Sequence, residues 1–195
     1  MSRRVLRTVL ASVVVAVVLT ASAGRMSAQA KEAALAPELS GLGSLHMPVT
    51  TSVPAAQRFF DQGLRLLYGF NHAEAIRAFR EAARLDSGLA MAHWGQALAL
   101  GPNLNAPMTQ DSGQQAYAAI QRAVARVGSV SLRERALIEA LSRRYAADGK
   151  GDRPALDRAY AAAMRTPAER FPDDPDIQTL FADAQMNTMP WDYWQ

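Results

Sequence analysis

Apolar residues between positions 54 and 100 recur at every third or fourth place, which is the spacing of one face of an α-helix. The pattern predicts a first helix over residues 54–69 and a second over 72–85. Proline favours the first turn of a helix and glycine its end, and the first helix has one of each at these places. Asp61 and Arg65 are spaced as an acid–base pair on its solvent side.

The same periodicity continues beyond this point and divides the helices into hairpins. A helix that begins at Ser87 stops at the loop 101–112, which two prolines stiffen. Ser131 and Glu134 form a capping box at the start of the third hairpin. Pro167, inside the second helix of that hairpin, predicts a kink or an early stop. The predicted hairpins span residues 54–85, 87–127 and 131–170, and an unpaired helix follows over 174–188.

Slender and bulky side chains alternate where the first two helices are predicted to cross. Gly63 and Ala75 allow the two backbones to approach closely, and Phe79 fills the remaining space. A step of 34 residues from Gly63 leads to Ala97, and the pattern of the second helix returns 41 residues later at Ala116. The positions predicted to pack the repeats are Phe59, Gly63, Leu66, Ala75, Phe79, Ala82, Ala97, Ala116, Ile120 and Ala123.

This arrangement resembles the tetratricopeptide repeat (TPR). The main departures from its signature are Gln62, where a leucine is usual, and Ser87, where a proline is usual. The segments FFDQGLRLLYGFNHAEAIRAFREAARLD, AMAHWGQALALGPNLNAPM and FPDDPDIQTLFADAQMNTMPWDYW are similar to exported bacterial TPR proteins of unassigned role. The resemblance implies an all-α superhelix of stacked antiparallel hairpins over residues 54–195. It implies no catalytic residues.

The positive charge of the chain is concentrated at its N-terminus. The formal net charge is +3, yet Arg3, Arg4, Arg7 and Arg25 all lie in the first thirty residues, which contain no acidic residue. The remainder is close to neutral, so no basic face for nucleic acid is expected.

Residues 1–30 have the three-part pattern of a secretory signal peptide. Arginines precede an apolar run over residues 9–19, and small residues then offer cleavage sites after residues 23 and 30. The run is shorter than the roughly 20 residues that span a bilayer. We therefore expect export to the periplasm or the extracellular space, by the ordinary or the twin-arginine route. The alternative is an uncleaved anchor in the inner membrane, which would be the chain's only membrane contact.

The two ends of the predicted repeat domain differ in character. Residues 31–53 mix glycine, proline and hydroxyl residues without periodicity, which predicts a linker or an N-terminal arm lying on the first hairpin. At the other end, Trp191, Tyr193 and Trp194 follow the unpaired helix. Because repeats bury their faces against neighbours, we expect either the N-terminal piece of a longer protein or a dimer formed through that end.

Candidate chemistry is confined to a few polar residues. The chain has no cysteine, which excludes disulfides, cysteine-ligated zinc and covalent haem attachment. His46, His72 and His93 lack the i,i+4 spacing that places two metal ligands on one helical face. No nucleophile motif of the Gly-x-Ser-x-Gly type occurs. We therefore expect a protein without enzymatic activity, cofactor or metal.

The function that these observations predict is binding of a protein or peptide. In TPR proteins the first helix of each hairpin lines a concave face, and such apolar surfaces suit an extended or helical peptide. One alternative is that the N-terminal arm or a further C-terminal part fills this face. Another is a helical metal- or small-ligand-binding domain around His72, His93 and the loop 101–112. By resemblance the groove comprises Gln57, Phe60, Leu64, Leu67, Tyr68, Met91, Trp94 and Leu98.

Overall fold

A computed structural model describes residues 33–189 and confirms the predicted all-α class. Those residues form seven α-helices and two short 3-10 helices, and they contain no β-strand. The 3-10 helices are Val127–Ser129 and Ser142–Arg144. The α-helices are α1 (Pro54–Tyr68), α2 (His72–Leu85), α3 (Ala90–Leu100), α4 (Gln110–Val124), α5 (Leu132–Leu141), α6 (Arg153–Arg170) and α7 (Pro175–Met186).

The predicted signal peptide and the three C-terminal aromatics lie outside the described residues. A compact unit begins at Leu35. Between residues 33 and 189, no helix combines the length and the apolar character that crossing a bilayer requires.

Polar side chains cap most of the helices at their N-termini. Asn71, Thr109, Asp152 and Asp174 each accept a hydrogen bond from a backbone N–H of the first turn. Ser131 and Glu134 form both hydrogen bonds of the predicted capping box, which is thereby confirmed. Helix α1 instead begins with a proline, whose missing N–H leaves one group fewer to satisfy.

The structure corrects the predicted start of one helix and excludes one of the two alternatives predicted at Pro167. Helix α3 begins at Ala90 rather than Ser87, because Asp86 organises a turn in which its side chain accepts from Gly88 N at 2.9 Å. Helix α6 passes through Pro167 and ends at Arg170, so an early stop at the proline was wrong. A proline inside a helix removes one hydrogen bond, and here the burial of Pro167 and its neighbours offsets that loss.

Helices that follow one another in sequence pack against one another. Contacts join α1 to α2, α2 to α3 and α3 to α4, and then α5 to α6 and α6 to α7. Alternate helices also meet, α1 with α3 and α3 with α5. All ten residues predicted to pack the repeats are buried, and together with their neighbours they form one apolar core.

The ring of Phe79 in α2 lies between two glycines on the neighbouring helices. A Cβ added at Gly63 of α1 would lie 2.6 Å from Phe79 Cε1, and one added at Gly95 of α3 would lie 2.5 Å from it. The repeat pattern predicts Gly63 as a small residue of α1, and its step of 34 residues predicts Ala97 as the equivalent small residue of α3. Ala97 is buried, but Gly95 is the residue of α3 that faces the ring.

Candidate functional site

Most residues predicted to line a partner groove lie inside the core. Phe60, Leu64 and Met91 have no accessible surface, and Trp94 retains 1%. A side chain without exposed area offers nothing to a partner, so these four act in packing in this structure. Their predicted role in partner binding would require the helices to separate and expose these side chains.

Of the four remaining groove residues, Gln57 bonds the segment before α1, and the other three line a cavity of about 290 Å³ at the C-terminal ends of α1 and α3. These are Leu67 and Leu98, which are 8% and 7% exposed, and the half-buried Tyr68. Leu180 of α7 closes the opposite wall, and Phe70 and Pro102 complete the apolar lining.

The residue that connects α1 to α2 has an unusual backbone conformation at the edge of this cavity. Phe70 has a φ of 60°, in the left-handed region that bulky residues rarely adopt. Its side chain is 61% exposed, and its ring lies 6.3 Å from that of His72 in an edge-on arrangement. The turn thus places an exposed aromatic ring beside the opening.

The loop after α3 determines which nitrogen of His72 carries the proton. Asn103 Oδ1 accepts from Asn105 N at 2.9 Å and Ala106 N at 3.1 Å, which turns its amide nitrogen toward His72. Asn103 Nδ2 lies 3.3 Å from His72 Nε2, so Nε2 accepts and Nδ1 holds the proton. Nδ1 is buried and has no partner among the described residues. Burial also lowers the pKa of His72, which favours the neutral ring.

Tyr68 and Asp183 add a hydroxyl and a carboxylate to the same cavity. The Tyr68 hydroxyl is buried and finds no partner within the described part of the chain. Burial, reinforced by the charge of Asp176, raises its pKa, so it stays protonated. Asp183 accepts a hydrogen bond from Asn187 Nδ2 at 3.1 Å, and burial raises the pKa of its carboxyl.

Arg144 also lines the cavity, but its charge is neutralised within the protein. The side chain is 1% exposed and donates to Asp157 Oδ1 and to Pro102 O, both at 3.1 Å. Its guanidinium carbon lies 4.9 Å from the ring centroid of Tyr160. Because these partners engage the guanidinium, the cavity is not a simple anion site.

The three histidines occupy different surroundings. His46 Nδ1 lies 2.7 Å from Asp61 Oδ2, whereas His72 meets Asn103. Burial, together with the charges of Arg126 and Arg122 nearby, lowers the pKa of His93 to about 4. Within residues 33–189, no group of three or more histidine and carboxylate side chains is placed to hold a metal ion. Of the two predicted neighbours of His72, the loop 101–112 contacts it through Asn103, whereas His93 lies in other surroundings.

Residues 35–53, which we call the arm, run without regular secondary structure along α1 and α2. The amide of Gln62 donates to Pro37 O at 2.9 Å and accepts from Leu39 N at 2.8 Å. Its departure from the repeat signature is thus explained, because a leucine could not bond the arm at this place.

The arm also covers the face of α1 that the sequence assigned to solvent. Asp61 is 6% exposed and accepts from Met47 N at 3.2 Å as well as from His46. Arg65 Nε donates to Leu45 O at 2.8 Å. The prediction of a solvent-facing Asp61–Arg65 pair was therefore wrong, because both side chains bond the arm instead.

Glu134 ties the arm to α5, far along the chain. It is 1% exposed and accepts from Thr50 N at 2.7 Å, from the Thr50 hydroxyl, and from Ser131 N at 2.9 Å. One buried carboxylate thus serves the capping box and the arm together. The sequence identified only the first of these roles.

We expect Glu134→Ala to lower the free energy of unfolding by about 2 kcal/mol, because it removes a helix cap and the acceptor of two arm hydrogen bonds. Urea denaturation followed by circular dichroism measures the change. Glu139→Ala, on the exposed side of the same helix, is the control and should stay within about 0.5 kcal/mol of the wild type. Equal effects of the two substitutions would contradict the assignment.

Comparison of the chain with protein-family models, with curated proteins and with solved structures gives no match. The case for a function therefore rests on the geometry of the cavity and the arm.

Proposed function

We propose that this protein is a non-enzymatic binding scaffold of TPR-like stacked hairpins, which takes an apolar anchor group of a protein or peptide partner into its cavity. The observation that carries the proposal is the cavity itself, formed by Leu67 of α1, Leu98 of α3 and Leu180 of α7. Three helices supply its walls, as expected for the concave side of a helical array. Ligand sites are usually such apolar hollows with a few polar groups at the edge.

The dimensions of the cavity favour one large side chain over a whole peptide. A volume of about 290 Å³ is at the lower end of the range for small-molecule pockets. An aromatic or branched aliphatic residue would bury its apolar surface against the leucines. The carboxylate of Asp183, which is half-buried in the lining, can accept a hydrogen bond from an N–H group of the partner.

The TPR-like architecture is supported by two packing features. Phe79 touches Gly63 and Gly95 on both sides, which requires three helix backbones to lie close together. Alternate helices are also in contact, as they are when hairpins stack. Action outside the cytoplasm rests on the signal-like pattern of residues 1–30.

The proposal is tested by blocking the cavity at its mouth. Thr179 lines the cavity and is exposed, so Thr179→Trp should obstruct it without disturbing the core. Peptides selected from a random displayed library on the wild-type protein should bind Thr179→Trp at least ten times more weakly, as measured by calorimetry. Thr166→Trp, an exposed position on α6 away from this cavity, should bind them within about twofold of the wild type.

Two results would overturn the proposal. One is that no peptide is enriched on the wild-type protein. The other is that the enriched peptides bind Thr179→Trp as tightly as the wild type.

A second candidate function is binding of a small organic ligand in the same cavity. The unpaired Tyr68 hydroxyl and His72 Nδ1 favour it, because buried polar groups without partners are uncommon. A compound that raises the melting temperature of the wild type but not of Thr179→Trp, with no peptide enriched, would favour this candidate over the first.

A further inference from the structure

Two glutamines of α1 hold the arm in the way one strand of a parallel β-sheet holds its neighbour. Gln57 Nε2 donates to Met47 O and Gln57 Oε1 accepts from Val49 N, both at 3.0 Å. Gln62 makes the same pair of bonds to Pro37 O and Leu39 N. Each side-chain amide therefore contacts the carbonyl of one residue and the N–H of the second residue after it. A residue in a parallel strand makes this pattern with its own main chain.

The two glutamines belong to a longer set of side chains that bond the main chain of the arm. Five N–H groups and four carbonyls of the arm are engaged in this way. We call this set the clamp row. It comprises Gln57, Asp61, Gln62 and Arg65 of α1, Arg77 and Glu81 of α2, and Glu134 of α5.

Few side chains of the arm are buried. In the segment 35–50, only Ala36 and Met47 are buried, with 2% and 0% of their surface exposed. Pro37 and Pro48 have no N–H to donate. The clamp row bonds the carbonyl of Pro37, and it bonds the N–H groups of Met47 and Val49 on either side of Pro48. The surface thus bonds two short stretches of backbone, residues 37–39 and 47–49, and the arm bends between them at Gly41 and Gly43, whose φ values are 79° and 80°. There is room for one small side chain and one flexible apolar side chain.

We propose that the clamp row is a peptide-binding site, that the arm is its resident occupant, and that a segment of another polypeptide takes the same place when the arm is released. The segment that fits carries a small residue at the place of Ala36 and an unbranched apolar residue at the place of Met47. Between these two places it bends as the arm does at Gly41 and Gly43. Main-chain hydrogen bonds supply the affinity in this mode of recognition, and the side-chain sites supply selectivity. This surface is separate from the cavity, so the proposal does not depend on the proposed function.

The test uses the full-length chain and a fluorescein-labelled synthetic peptide of residues 33–51. In the wild type the arm competes at an effective concentration on the order of millimolar, so the peptide should bind weakly. Met47→Asp weakens the arm but leaves every clamp side chain in place. We expect the peptide to bind this variant at least ten times more tightly than the wild type, as measured by fluorescence polarisation.

Chemical changes in the peptide then show whether its main chain is recognised. Methylating the backbone nitrogens of Leu39 and Val49 removes two clamped N–H groups and should weaken binding at least tenfold. Methylating that of Leu42, which makes no hydrogen bond to the clamp row, should change binding by no more than about twofold. In the protein, adding Gln57→Ala and Gln62→Ala to Met47→Asp should also weaken binding at least tenfold.

Each remaining outcome counts against the proposal. A natively helical Met47→Asp chain that binds the peptide no better than the wild type would overturn it. Binding that is equally sensitive to methylation at Leu39, Val49 and Leu42 would overturn it too. If Met47→Asp loses its helical circular dichroism, Leu39→Pro replaces it, because that substitution removes one clamped N–H and buries no charge. Binding of the peptide and of its methylated forms is then compared between Leu39→Pro and the wild type, with the same outcomes expected.

Discussion

Gly95→Val is expected to lower the free energy of unfolding by about 3 kcal/mol, because the ring of Phe79 occupies the space that the new side chain needs. Even the first carbon added at this position would lie 2.5 Å from Phe79 Cε1, well inside van der Waals contact. The ring cannot move away on its other side, because the backbone of α1 is close there. A Cβ added at Gly63 would lie only 2.6 Å from Phe79 Cε1. Thermal and urea denaturation followed by circular dichroism at 222 nm report the change.

A matched substitution and a rescue separate this clash from a general effect of valine. Gly128 has open space around it, and Gly128→Val should stay within about 1 kcal/mol of the wild type. Phe79→Leu shortens the ring side chain, so the double variant Gly95→Val with Phe79→Leu should be more stable than the two single changes added together predict. Strict additivity would show that the ring and the glycine do not meet.

The positions of α1 and α2 could be predicted because their signals are local. A proline at the start of α1 and a glycine at its end each act within a few residues of the helix boundary that they mark. The crossing of the two helices could be predicted for a similar reason, since small side chains at Gly63 and Ala75 permit only a close approach. At Pro167 the local signal alone suggested an early stop, which does not occur, whereas the end predicted at residue 170 agrees with the structure.

The cavity could be anticipated only in part. Leu67 and Leu98 followed from the repeat pattern, and His72 with the loop 101–112 followed from the search for ligands. Leu180 and Asp183 were missed because they stand more than 100 residues after Leu67 and His72 in the chain. No periodicity in α1 indicates which distant helix will lie across it.

The clamp row was missed for a different reason. Gln62 and Asp61 stand at buried positions of an amphipathic helix, and the repeat pattern treats a polar residue there as a departure. A departure of this kind often marks a residue with a task of its own. The useful signal was therefore the mismatch at Gln62 together with an aperiodic segment nearby that needed partners for its backbone.

Helix α1 consequently serves two surfaces. One side contributes Leu67 and Tyr68 to the cavity, and another contributes Gln57, Asp61 and Gln62 to the arm. The core residues between them fix the orientation of both. A substitution that unfolds α1 therefore removes both surfaces, and only substitutions at the edges can separate their functions.

Trp94→Ala is expected to cost about 3–5 kcal/mol of folding free energy, because Trp94 lies inside the core. The side chain is 1% exposed and is the largest of those that are fully buried in the described residues. The TPR resemblance assigned it to a partner groove, which would predict weaker partner binding in a chain that stays folded. The two roles are distinguished by urea denaturation of the purified variant, with peptide binding measured under conditions where it is folded.

Trp94→Phe supplies the decisive comparison. The indole N–H of Trp94 has no hydrogen-bond partner within residues 33–189, so phenylalanine removes an unsatisfied donor while it keeps most of the apolar volume. We expect it to cost only about 1 kcal/mol, well below the alanine variant, because a smaller cavity is left behind. If Trp94→Ala instead keeps the stability of the wild type but no longer binds the selected peptides, the indole belongs to the partner surface, and the core described around α3 would have to open in solution.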